Sequence, residues 1–264
     1  MQTLRSFFEN ESWQRKALDG FFDAWEGSWP LDEQLLRLYD ASRTAFDPDS
    51  NPDEALRSFE VIYDMLRSPA WGGVFRSRIS GEAWSARQTF ETVKREFVEF
   101  SWVGPINLLN FPKSGSALRL ETHLLKMQGI KPKKSFPLMI VSKVLHFYNP
   151  SLFPIYDTWM IWNKVLNGRF KADYRAFCER ERIPKNVGSD SADDTAVWLI
   201  HYMNLASSLL SAAHRNFMQV FVDWLAQQPG VDLRNRKFDP ATLHATAFEF
   251  TVVGATAAES AASV

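Results

Sequence analysis

The chain of 264 residues carries 30 Lys and Arg against 31 Asp and Glu, a formal net charge of −1, and 45% of it is hydrophobic, with ten Trp and twenty-one Phe. This is enough material for one large domain or two small ones, and most of the rings are expected in the core, with some available as faces for base stacking. The single cysteine, Cys178, excludes an intrachain disulfide, a four-cysteine zinc site and an iron–sulfur cluster. The first residues are charged and lack an apolar stretch, and no run approaches the roughly 18 apolar residues of a membrane span, so a cytoplasmic protein without a membrane partner is expected.

Helical periodicity recurs along the chain, and Pro and Gly stand mostly between periodic segments. Leu31–Phe46 reads as a helix, with Leu35, Leu38, Tyr39 and Ala45 on its buried side. Asp47 to Pro52 is a break, where Ser50 or Asn51 can cap the next helix, which runs to about Arg67. Glu82–Phe100 follows, with Phe90, Val93 and Phe97 as a stripe; Trp84 extends it. After a loop at Phe111–Gly115 come helices at Ser116–Gln128, Phe136–Phe147, Asp157–Leu166, Lys171–Glu181, Thr195–Ser208 and His214–Gln227. Phe248-Glu-Phe-Thr-Val-Val253 alternates as a strand does, and the small residues after it read as a disordered tail. The expectation is an all-α fold of one domain over residues 1–240, with at most one short C-terminal strand in a tail over 241–264.

Charge is unevenly placed. From Lys113 to Lys185, fourteen Lys and Arg stand against five acids, a balance of +9, while the remainder carries −10. A basic centre on an acidic body suits a polyanion docked at one face.

Two features carry chemistry. Helix Phe136–Phe147 is apolar over most of its circumference, with Ser142, Lys143 and His146 gathered in one polar sector. A lysine there snorkels, pairs with an acid, or faces a cleft with a lowered pKa, and only the last makes it an amine nucleophile near neutral pH. His146, one turn away, tunes that lysine, meets the base, or is a satisfied core histidine. The other feature is Phe153-Pro-Ile-Tyr-Asp157. Pro154 holds Phe153 extended, and Asp157 falls where the next helix starts, the place of an N-cap.

Helix, Gly-containing hairpin, helix, Pro-containing link, aspartate, helix: this order over about forty residues resembles the helix-hairpin-helix DNA glycosylase superfamily. Its most specific part is Phe153-Pro-Ile-Tyr-Asp157 with Met160-Ile-Trp-Asn-Lys-Val-Leu166. The resemblance implies that Asp157 is the catalytic carboxylate and that the hairpin binds a DNA phosphate through backbone N–H groups. Here the hairpin, Gly129-Ile-Lys-Pro-Lys-Lys-Ser135, is longer and more basic than the family pattern. Gly129, Lys131, Lys133, Lys134 and Ser135 are then the DNA contacts. For the amine of lyase-competent members, Lys134 matches the family position better and Lys143 is preferred on burial. Trp159 and Trp162, close to Asp157, are candidates for a base pocket, with core packing as their other role. The implied partner is double-stranded DNA carrying a modified base, which is flipped out and excised. The long aromatic N-terminal part resembles that of antiviral glycosylases acting on glucosylated hydroxymethylcytosine in phage DNA; repair of an oxidised or alkylated base, and a DNA-binding module without chemistry, are the alternatives. No metal, cofactor or obligate protein partner is expected.

Overall fold

The computed structural model describes residues 3–24, 33–67, 85–102, 104–111, 116–127, 138–183 and 192–258. Its elements, in order, are α1 (Ser6–Glu9), α2 (Glu11–Asp19), α3 (Phe21–Ala24), α4 (Glu33–Phe46), α5 (Pro52–Arg67), α6 (Ala86–Glu96), a 3₁₀ turn at Val98–Phe100, α7 (Ser116–Leu125), α8 (Leu138–Tyr148), α9 (Thr158–Arg169), α10 (Lys171–Arg180), α11 (Ala192–Ser211), α12 (Phe217–Ala226), a 3₁₀ turn at Pro240–Thr242 and α13 (His244–Gly254). Among the described residues there is no strand.

Local chemistry sets the helix starts. Asn51 accepts the Asp53 N–H at 2.9 Å, and Pro52, which has no N–H to lose, opens α5. Ser85 and Gln88 form a reciprocal capping box at the start of α6. That box places the start later than Glu82, where hydrophobic periodicity alone put it. α9 is wound wide: both Ile161 and Trp162 donate their N–H to the Asp157 carbonyl, and Phe170 donates to Val165.

α4 packs along α5, and α5 continues onto α6. α13 sits at the centre of the rest, against α1, α2, α3, α9, α11 and α12. Residues 248–253 therefore form helix, and the expected C-terminal strand is corrected. The physical reason is burial. Every residue of α13 from Ala245 to Gly254 is buried, so the segment shows no polar stripe at helical spacing. Its chance alternation of Phe248, Phe250 and Val252 with Glu249 and Thr251 then imitates a strand. α13 is accordingly part of the packed core; residues 259–264 lie outside the described residues.

Contact between α13 and the N-terminal helices is close enough to require glycine. A Cβ on Gly254 would run into the Ala17 carbonyl oxygen, and one on Gly20 would stand 3.0 Å from the Gly254 carbonyl oxygen. Around this crossing the aromatic core closes, with Phe21 stacked on Phe250 at 4.1 Å and Phe8 stacked on Phe217 at 5.3 Å between ring centroids.

Candidate active site

The link from α8 to α9 is extended, so its backbone polar groups have no helix to satisfy them. Buried side chains do it instead. Ser142 accepts the Tyr156 N–H at 3.0 Å. Glu249, on α13, accepts the Ile155 N–H. His146 Nδ1 lies 2.8 Å from the Phe153 carbonyl oxygen. A carbonyl only accepts, so Nδ1 carries the proton. Nε2 must then accept from the Tyr39 hydroxyl at 2.9 Å, and Tyr39 in turn accepts from Thr246 at 2.9 Å. A chain of bonds thus ties α13 and α4 through α8 to the link.

This network accounts for the polar sector of α8. Ser142 and His146, one turn apart, grip the link that delivers Asp157. His146 is 1% exposed and both ring nitrogens are engaged. It does not line the cavity described below; the structure places it in the core, holding the link. Burial holds its pKa down at about 4, opposed by the bond to Phe153, which keeps the ring neutral at physiological pH.

The third member of the sector, Lys143, is 4% exposed and faces a small cavity. Asp157 and Glu249 line the same cavity, with Phe21, Ile161 and Phe250 among its apolar walls. Burial lowers the Lys143 pKa, and the negative charges of Asp157 and Glu249 oppose that shift. Glu249 is 6% exposed, and burial pushes its carboxyl well above the usual range, against the Ile155 N–H and the charge of Lys143. Its Oε1 is also 3.6 Å from His146 Nδ1. Asp157 Oδ1 accepts the Met160 N–H at 2.9 Å, the N-cap bond that fixes the carboxylate at the start of α9. The open volume, about 30 Å³, is the size of one water. An amine and two carboxyl groups around one small, largely apolar cavity are the parts of a nucleophile whose protonation its neighbours set.

The remaining candidates are dispersed. Trp162 is half-buried, meets Tyr174 and Trp198 edge-on, and lines a different cavity. Trp159 belongs to the backbone of α9, and its side chain lies outside the described residues. The hairpin residues Gly129, Lys131, Lys133, Lys134 and Ser135 lie outside them too. The basic span is partly neutralised from within: Arg119 pairs with Glu99 at 2.8 Å, Lys126 with Glu96 at 2.7 Å and Arg180 with Glu181 at 2.8 Å. Glu249 was not anticipated from sequence. Its signal was a lone acid among Phe248, Phe250, Val252 and Val253, which an alternating strand would turn to solvent and a buried helix cannot.

No described helix is long and apolar enough to cross a membrane. No family model, curated protein or solved structure matches the chain.

Proposed function

We propose that the protein is a DNA glycosylase that excises a modified base, with Asp157 as the catalytic carboxylate and Lys143 as the amine nucleophile. The observation that carries the reading is that Lys143 and Asp157, fourteen residues apart on two elements, line one cavity, with Lys143 buried and Asp157 partly exposed. The extended Phe153-Pro-Ile-Tyr link that resembles the glycosylase superfamily leads directly into it. The target nucleotide leaves the stack, at a cost of a few kcal/mol. Its C1′–N bond breaks with the electron pair leaving on the base, and positive charge develops on the sugar. Asp157 stabilises that charge. The lone pair of the neutral Lys143 amine then forms the new C1′–N bond, and loss of the amine proton with opening of the ring gives a Schiff base.

An abasic-site assay over a panel of DNAs, plain, oxidised, alkylated and carrying glucosylated hydroxymethylcytosine, tests the reading. Abasic sites in one modified DNA and none in plain DNA are expected, and the panel separates antiviral from repair substrates. Borohydride should trap a covalent adduct that is lost in Lys143→Gln and kept in Lys134→Gln; the reverse would move the amine to Lys134. The Asp157–Met160 cap bond favours a second reading, a DNA-binding module in which Asp157 only caps α9. Binding without abasic sites on any substrate would select it.

A further inference from the structure

A second cavity, of about 530 Å³, lies between α9 and α10. That volume is within the range of small-molecule sites, roughly 300–1,000 Å³. The helices part there because α9 ends abruptly: Gly168 has non-helical backbone angles (φ −100°, ψ −113°), and a Cβ on it would stand 2.5 Å from the Asn163 carbonyl oxygen. α10 presents one whole face to the opening. Lys171, Tyr174, Arg175, Cys178 and Glu179 all line it, at the i, i+3, i+4, i+7, i+8 spacing of a single stripe. On the α9 side stand Trp162 and the buried Leu166.

The stripe is ordered by chemistry. Its floor is aromatic and apolar: Trp162 and Tyr174 meet at 5.8 Å in an edge-to-face pair, and Cys178 is buried beside them. Its rim is charged and exposed, with Lys171 and Arg175 one turn apart at one end and the acidic Glu179 one turn beyond. Lys171 and Arg175 have no acidic partner among the described residues, unlike Arg119, Lys126 and Arg180 of the same basic span.

We propose that this cavity binds a nucleotide, with its base against Trp162 and Tyr174 and its phosphate at Lys171 and Arg175. Ring faces take any base. The two cations take a phosphate, Arg175 in bidentate geometry, and Glu179 repels it from the other end, which fixes the orientation. Neither Lys143 nor Asp157 lines this cavity, and the ligand is held here without bond cleavage. The shared chemistry is a base plus a phosphate, supplied either by a free nucleoside monophosphate or by one unit of a single strand.

Calorimetric titration of the full chain tests the proposal with deoxyadenosine monophosphate, deoxyadenosine, inorganic phosphate and a five-nucleotide single strand. The monophosphate or the strand should bind, and nucleoside and phosphate alone should each bind about tenfold more weakly or less, since each lacks one half of the recognition. Binding of the strand without the monophosphate would identify the strand as the source. Arg175→Gln, at an exposed position, should weaken binding about tenfold. Trp162→Leu should weaken it comparably while its circular dichroism stays that of the wild type. No binding by either nucleotide source, or binding indifferent to both substitutions, would overturn the proposal. The titration involves no excision, so its outcome is separate from that of the abasic-site assay.

Discussion

At the scale of single residues, the most exacting group is Glu249. It accepts the Ile155 N–H inside the core. Glu249→Ala leaves that buried donor without its partner and should cost roughly 1–3 kcal/mol in urea unfolding. Glu249→Gln keeps an acceptor in place and should cost less. The two proteins should also differ with pH. Burial raises the folded carboxyl well above its usual range, so the folded state holds this proton more tightly than the unfolded state. The stability it contributes is present below the unfolded value, about 4.5, and is lost as pH rises through the folded one. Glutamine does not titrate, so unfolding curves at pH 4.5 and pH 8 should shift in favour of Glu249→Gln at the higher pH. His146 carries the opposite sign. Its folded pKa is lowered to about 4, so the unfolded state binds the extra proton first. That contribution is complete above about 6.5 and is lost as pH falls towards 4, on the order of 3 kcal/mol. Urea unfolding at pH 7, 5.5 and 4.5 should show the decline, and His146→Asn should flatten it. The groups around the ring, Tyr39, Thr246 and Glu249, offer an added proton only Glu249 as a counter-charge.

At the scale of elements, α13 decides the architecture, and it was the element least legible in the sequence. An amphipathic helix announces itself by a stripe; α4, α5 and α6 do so, and their positions follow from Leu35, Phe59, Phe90 and their neighbours. A helix buried all round has no stripe to read. α8 is equally buried, but its polar sector pointed to chemistry, and one of its three members, Lys143, does face a cavity with Asp157. The other two, Ser142 and His146, hold the extended link; for His146 the sequence left a core and a substrate role open, because which backbone groups of the link it meets is set by the fold. The start of α9 at Asp157 was legible from Pro154 and from capping preference alone. The place of α13 rests on Gly254, whose absent Cβ admits the Ala17 carbonyl oxygen. Gly254→Ala forces backbone against backbone, and no side chain can swing away to relieve it. A loss of about 1–3 kcal/mol or more is expected, measured as a lower urea midpoint with an unchanged slope.

At the scale of the whole molecule, the balance of +9 over residues 113–185 overstates the charge available to a polyanion. Lys143 is buried, and Arg119, Lys126 and Arg180 each have a carboxylate within 2.8 Å. Arg169 donates to the Ala255 carbonyl and lies over the rings of Phe7 and Phe170, so it serves the fold. The phosphate contacts of a docked duplex must therefore come from elsewhere in the span, and the hairpin lysines Lys131, Lys133 and Lys134 are the densest source. Counterion release turns this into a measurement. Each phosphate neutralised adds about −0.9 to the slope of log K against log salt. Replacing all three hairpin lysines by Gln should make the slope shallower by roughly 2–3, and weaken binding alike for every duplex sequence. Lys126→Gln should leave the slope nearly unchanged, because that ammonium is already matched by Glu96, whose carboxyl it holds below the usual range. Fluorescence anisotropy with a labelled duplex between 50 and 200 mM salt reads both. Equal slopes for the triple variant and the wild type would remove the hairpin from the interface, and a slope of zero would remove DNA as the partner. A steep slope borne by Lys126 instead would mean that docking breaks the Glu96 pair, placing the duplex across α6 and α7.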